Sequence, residues 1–302
     1  MIESLENRIE TLKKDRKAVI LVHNYQLPEV QDIGDFVGDS LELSQRAART
    51  DAEVIVFCGV YFMAETAVIL SPEKTVLLPD MNSGCPMADM IDAEQLRQLK
   101  REHPNAVVVC YVNSSAEVKS ESDYCCTSSN GVKVVESLQD AEEIIFVPDK
   151  YLGRYISSQT GREMILWNGY CPTHVRIGEH DITRAKTEHP DAIVMVHPEC
   201  TGPVCEIADV VLSTSGMCKY VKDSDVNEFI VATELGIIHR LRKENPGKRF
   251  YAATEAGVCP NMKLTTIEKV LWSLEKMEHK ITVSADIRSR ALKAVENMIN
   301  IT

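Results

Sequence analysis

The chain has 302 residues, 44% hydrophobic and 26% charged, an ordinary balance for a protein that buries a core. A formal net charge of −12 argues against nucleic acid or an anionic membrane surface as a partner, since both select basic patches. Ten cysteines without an export signal point to metal or redox chemistry in a reducing, cytoplasmic compartment and away from a disulfide scaffold.

The chain opens with a polar stretch of helical period, Met1 to Glu10, which reads as a helix and not as a signal peptide. The longest apolar run, Val54 to Ala64, is far short of the ~20 residues that span a bilayer. After Lys14-Asp-Arg-Lys comes the β-branched run Ala18–Val22, a buried strand ending in His23-Asn24-Tyr25. A short apolar stretch, Phe36-Val37, leads to Ser40 and a helical pattern over Leu41–Arg49. Strands then follow at Val54–Cys58 and Val76–Leu78 with an amphipathic helix between them, and the segment closes on Cys85-Pro86.

The same series occurs twice more. Glu102-His-Pro-Asn-Ala opens a strand ending in Tyr111-Val112-Asn113, followed by Tyr124–Cys126, Ser128 and a helix over Val132–Leu138. Strands at Ile144–Val147 and Met164–Trp167 precede Cys171-Pro172. Glu188-His-Pro-Asp-Ala opens the third copy, with His197-Pro198-Glu199, Val210–Leu212, Thr214, a helix over Met217–Val221, strands at Phe229–Ala232 and Phe250–Ala252, and Cys259-Pro260. A hydroxyl residue stands 17 positions after His23, Tyr111 and His197, and the Cys-Pro pair stands 62, 60 and 62 positions after them. Matched landmarks at matched spacings predict an α/β protein of three pseudo-symmetric repeats, each a small parallel sheet with flanking helices. The repeats run over 1–90, 91–176 and 177–302, the last carrying additional C-terminal helices. No Gly/Ser linker separates them, so a compact arrangement around one centre is expected.

Ligands of such sheets sit beyond the carboxyl ends of the strands, where every landmark lies. Three cysteines from distant positions match neither a zinc knuckle nor a ferredoxin run, both of which need short local spacings. They suit a cubane cluster with three protein ligands and one open iron, able to act as a Lewis acid. Each following proline removes an amide and stops the strand. Cys58, Cys110, Cys125, Cys126, Cys205 and Cys218 read as apolar filler. Cys200, beside Glu199, is ambiguous, and His174 either donates to a cluster-bound group, is itself a fourth ligand, or is a packed histidine. Ser40, Ser128 and Thr214 read as N-cap hydroxyls whose helix starts offer sites for carboxylate or phosphate. His23 and His197, with Tyr25, Tyr111, Asn113 and Glu199 nearby, read as a proton-transfer set.

The segments His23-Asn-Tyr-Gln, Gly38-Asp-Ser, Tyr111-Val-Asn-Ser, Cys126-Thr-Ser-Ser-Asn, His197-Pro-Glu-Cys and Ser213-Thr-Ser-Gly-Met resemble the quinolinate synthase family along the whole chain. That resemblance implies an oxygen-sensitive [4Fe–4S] cluster held by Cys85, Cys171 and Cys259. It implies a transferase of NAD (pyridine nucleotide) biosynthesis that condenses iminoaspartate with dihydroxyacetone phosphate, with an L-aspartate oxidase or dehydrogenase supplying the first substrate. His23, Ser40, Tyr111, Val112, Asn113, Ser128, His197, Pro198, Glu199 and Thr214 would hold substrate, and Tyr25, Tyr111, His197 and Glu199 would move protons. Longer members carry further cysteines beside the third ligand, whereas Cys259 is followed by Pro-Asn-Met-Lys-Leu, so no local disulfide is implied there. Three readings compete with this one. Another [4Fe–4S]-dependent hydroxy-acid dehydratase would share the open iron, an electron carrier would need a fourth cysteine, and a zinc-stapled protein would use the three cysteines with His174.

Overall fold

The computed structural model describes residues 4–301. Its apolar β-branched runs form three sheets. The first contains β1 (Ala18–His23), β2 (Phe36–Gly38), β3 (Val54–Cys58) and β4 (Thr75–Leu77). The second contains β5 (Val107–Tyr111), β6 (Tyr124–Cys126), β7 (Ile144–Val147) and β8 (Ile165–Leu166), and the third β9 (Ile193–Val196), β10 (Val210–Val211), β11 (Glu228–Ala232) and β12 (Arg249–Ala252). Their strand orders are β2-β1-β3-β4, β6-β5-β7-β8 and β10-β9-β11-β12, the same order three times. All strand pairs within them are parallel. Central strands such as β3 are buried along their whole length, as parallel sheets covered on both faces require. The fold class is therefore the expected three-repeat α/β arrangement.

One device recurs in each sheet. Asp35, Asp123 and Asp209 stand just before the second strand, and each carboxylate accepts the backbone N–H of Ile20, Val108 or Val194 at 2.8–2.9 Å. The backbone N–H of the same aspartate donates back to the carbonyl of that same residue. The paired bonds pin the entry of the second strand to the first and so set their register.

The strands differ from the expected spans only at their ends. Trp167 lies past the end of β8, with its indole Nε1 donating to the Met90 carbonyl at 2.8 Å.

Helix packing closes the ring. The helix after Cys85, Ala93–Glu102, and the helix after Cys171, Glu179–Glu188, place Leu96 and Ile182 against the cores of the next sheet, the second and third respectively. The equivalent helix after Cys259, Ile267–Lys276, packs Val270, Leu271 and Leu274 against Ile20, Val22 and Val56 of the first sheet. The final helix, Ala285–Asn300, lays Ala291, Ala294, Val295 and Met298 into the core shared by the first two repeats. Asn130 fastens its end by donating to the carbonyls of Met298 and Ile301. No helix among the described residues is long and apolar enough to cross a membrane.

Candidate active site

The three sheets direct their carboxyl ends at one cavity, with about 670 Å³ of unfilled space including its open mouth. His23, Tyr25, Ser40, Tyr111, Asn113, Ser128, His197, Glu199 and Thr214 all line it, together with Cys85, Cys171 and Cys259. Val112 and Pro198 are buried beneath the strand ends and do not line it. Both lie between two lining residues, so their backbone shapes the wall, and the Val112 side chain packs into the core.

Two of the strand-end histidines are built alike. The backbone N–H of Tyr25 donates to His23 Nδ1 at 3.2 Å, and that of Glu199 donates to His197 Nδ1 at 3.4 Å. An accepting Nδ1 places the ring proton on Nε2. Burial holds both rings neutral, His23 lowered to about 4 and His197 to about 3. Each therefore presents an N–H donor to the cavity.

Glu199 is the centre of a buried network. It accepts from the Tyr111 hydroxyl, and its other oxygen lies 2.8 Å from His174 Nδ1. Burial would raise this carboxyl, but the His174 imidazole and the Tyr111 hydroxyl that meet it outweigh burial and keep the group ionised. Burial, then the Glu199 charge, pushes the Tyr111 and Tyr25 phenols well up, so both stay protonated. His174 Nε2 lies 2.8 Å from Thr233 Oγ1, which is 2.7 Å from the Tyr25 hydroxyl. Tyr25, Thr233, His174, Glu199 and Tyr111 thus form one connected path of exchangeable protons drawn from all three repeats.

The three hydroxyl residues are not helix caps. Asp39 caps the helix Ser40–Arg49, Ser213 caps Thr214–Asp223, and Asn130 precedes Gly131–Glu136. Ser40 and Thr214 fall just after their capping residues and Ser128 two before its own, so capping consumes none of the three hydroxyls, and all three residues line the cavity. Ser128 Oγ instead lies 3.2 Å from His197 Nε2. Asp39 also joins the repeats: its carboxylate accepts from Ser129 of the second and Ser215 of the third, each at 2.5 Å.

Cys85, Cys171 and Cys259 each stand three residues before a short 3-10 turn, beginning at Ala88, His174 and Met262. That turn aims backbone amides at the sulfur: Met87 and Ala88 at Cys85, His174 at Cys171, Asn261 and Met262 at Cys259. All three thiols are free and partly open to the cavity. Burial raises them, Cys85 to about 12, and Cys259 adds to the rise at Cys85 as Cys85 does at Cys171. Three unpaired sulfurs sharing one cavity, each met by amides suited to thiolate, fit an iron–sulfur group with three protein ligands. One ligand atom each from Cys171, His174 and Glu199 also lie within 4.8 Å of one another. Cys200 is buried and free behind Glu199, and the Cys205 thiol meets its carbonyl at 3.7 Å.

Thr233, Asp39 and Asn24 were not singled out by the sequence. Thr233 follows the third strand of its repeat directly, a position that offered a signal. Asp39 and Asn24 act through partners in other repeats, at distances no local pattern reveals.

A cavity that gathers a protonated phenol path, an ionised carboxylate and three free thiols is that of an α/β enzyme, and its thiols fit an iron–sulfur group. The chain belongs to the quinolinate synthetase A protein (NadA) family, whose model matches residues 7–300. It is 56% identical over 299 residues to the quinolinate synthase of Dehalococcoides mccartyi strain CBDB1, covering 99% of both chains. It is 55% identical to the quinolinate synthase of Methanosarcina barkeri over 98% of this chain and 97% of that one. Against the quinolinate synthase of Thermodesulfovibrio yellowstonii it is 51% identical over its whole length.

Proposed function

We propose that the chain condenses iminoaspartate with dihydroxyacetone phosphate to give quinolinate, phosphate and water, with Cys85, Cys171 and Cys259 holding a [4Fe–4S] cluster. The observation that carries the reading is the convergence of one cysteine from each repeat on the cavity that also holds the Tyr111–Glu199 pair. When bound, the cluster supplies a Lewis acid at the iron that no cysteine ligates.

The remaining work falls to side chains. Ser40 and Thr214 open helices of 10 residues each, whose first amides and positive dipole ends suit carboxylate or phosphate. The Nε2–H of His23 adds a neutral donor that needs no charge change on binding, while that of His197 goes to Ser128 Oγ. Asn113 Oδ1 is buried without a protein partner, an acceptor suited to the amine or hydroxyl of a ligand. Condensation, ring closure and dehydration each relocate protons, and Tyr25, Tyr111, His197 and Glu199 are the groups placed to move them. Val112 and Pro198 contribute through backbone. An aspartate oxidase or dehydrogenase supplies iminoaspartate, and a cytoplasmic location suits ten cysteines that are all free.

The test is quinolinate formation by anaerobically reconstituted protein given both substrates. Product requiring both supports the reading. Dehydration of a hydroxy acid, with no quinolinate formed, would replace it with the dehydratase alternative.

A further inference from the structure

Asn24 lies between His23 and Tyr25, which line the cavity, and is not itself among the lining residues. It is fully buried. Its Nδ2 donates to Thr214 Oγ1 at 3.2 Å, reaching from the first repeat to the third. Its Oδ1 accepts from Arg240 Nη1 at 2.8 Å. Arg240 is held in turn by Glu244 at 2.7 Å, with Glu42 at 3.7 Å.

A guanidinium has donors only. Arg240 therefore fixes which way the Asn24 amide points, because the reversed amide would set NH₂ against N–H. With the oxygen committed to Arg240, the NH₂ must face Thr214. The Thr214 hydroxyl then has its lone pair occupied and its own proton left to donate.

We propose that Arg240 and Asn24 are positioning residues that set the donor polarity of the Thr214 hydroxyl, turning its proton toward an anionic group of the ligand. The inference rests on the functional reading above, which places a carboxylate or phosphate at this helix start. The arrangement has a counterpart across the cavity. His197 Nε2–H donates to Ser128 Oγ, which leaves the Ser128 proton free in the same way. Two hydroxyls are thereby held as donors without any positive charge inside the cavity. Such a site distinguishes an anion from a cation or a neutral hydrogen-bond donor, which would need the opposite polarity.

The test is a double-mutant cycle on the cluster-loaded protein, read by anaerobic calorimetric titration with quinolinate. Asn24→Asp keeps the shape and the Arg240 contact but accepts from both neighbours, so Thr214 must donate to it and turn its lone pairs to the ligand. Quinolinate affinity should fall by about 10- to 100-fold, the worth of a hydrogen bond to a charged group. The KM of the substrate whose anionic group sits at Thr214 should rise more than kcat falls. In a Thr214→Val background the same Asn24→Asp change should have little further effect. Arg240→Met, which frees the amide to turn, should weaken binding in the same direction and be equally silent beside Thr214→Val, and it serves if Asn24→Asp fails to fold. Loss of affinity that persists undiminished in the Thr214→Val background would show a simple charge effect and overturn the proposal, as would unaltered binding in both single variants. Wild-type protein that binds no quinolinate would overturn the functional reading, and this proposal with it.

Discussion

The Tyr111 hydroxyl of the second repeat donates to the Glu199 carboxylate of the third, so the acid–base pair exists only when two sheets meet. Tyr111→Phe removes the donor while keeping the ring, and Glu199→Gln removes the base while keeping its shape. Both variants should bind iron as the wild type does and lose about 100-fold or more in turnover, the scale of a positioned proton transfer. Steady-state rates on cluster-loaded protein check this, and near-normal turnover in either variant removes that residue from the catalytic set.

The three cysteines are equivalent by position, each three residues before its 3-10 turn. Cys85→Ala, Cys171→Ala and Cys259→Ala should each abolish stable cluster binding, measured as iron and acid-labile sulfide per chain. Cys58→Ala, in the interior of the first sheet, should leave the iron content unchanged. A full cluster in any of the first three variants would sink the three-ligand assignment.

Lys119 is fully buried and links the first two repeats. Its ammonium donates to Thr66 Oγ1 at 2.9 Å and to the Ser114 carbonyl at 2.8 Å, with the Phe62 carbonyl at 3.4 Å. Buried Glu65 lies nearby and accepts the Ala116 N–H at 3.1 Å. Lys119→Ala leaves these acceptors and the Glu65 carboxylate uncompensated, and should cost about 3–5 kcal/mol of stability. A urea midpoint indistinguishable from wild type would contradict it.

Gly236 touches the backbone of the Tyr25 turn. A Cβ there would come within 2.7–2.8 Å of the Tyr25 Cα, carbonyl carbon and oxygen, which is backbone and cannot rotate away. Gly236→Ala should push that turn off its position, costing about 1–3 kcal/mol and on the order of 100-fold in turnover if the Tyr25 phenol moves by an ångström. Wild-type rates in this variant would show that the turn tolerates displacement.

Much of this was legible in the sequence because the repeat makes each landmark appear three times. The strands β3 and β7 fall on the residues that their β-branched runs marked, β6 falls on the apolar stretch Tyr124–Cys126, and His23, Tyr111 and His197 all reach one cavity. Asp35, Asp123 and Asp209 stand 12 positions after those landmarks and could have been read the same way, since equal spacing of a capping residue type is a local signal. Two kinds of fact were not legible. The first is the side chain's share of work at helix starts: a hydroxyl at the right offset suggests a cap, but Asp39 and Ser213 take that role and release Ser40 and Thr214 to the cavity. The second is contact between repeats. That Asn24 meets Thr214, that Thr233 bridges Tyr25 and His174, and that the helix Ile267–Lys276 returns to the first sheet depend on how the ring closes, which no local pattern encodes.

The central claim is that the condensation depends on an iron–sulfur cluster shared by the three repeats. Quinolinate production by the same anaerobic sample, before and after its iron is stripped with a chelator and then restored with iron and sulfide, tests it most directly. Formation that disappears on stripping and returns on reconstitution is expected. Undiminished formation by iron-free protein would contradict the account, whatever the cysteines hold.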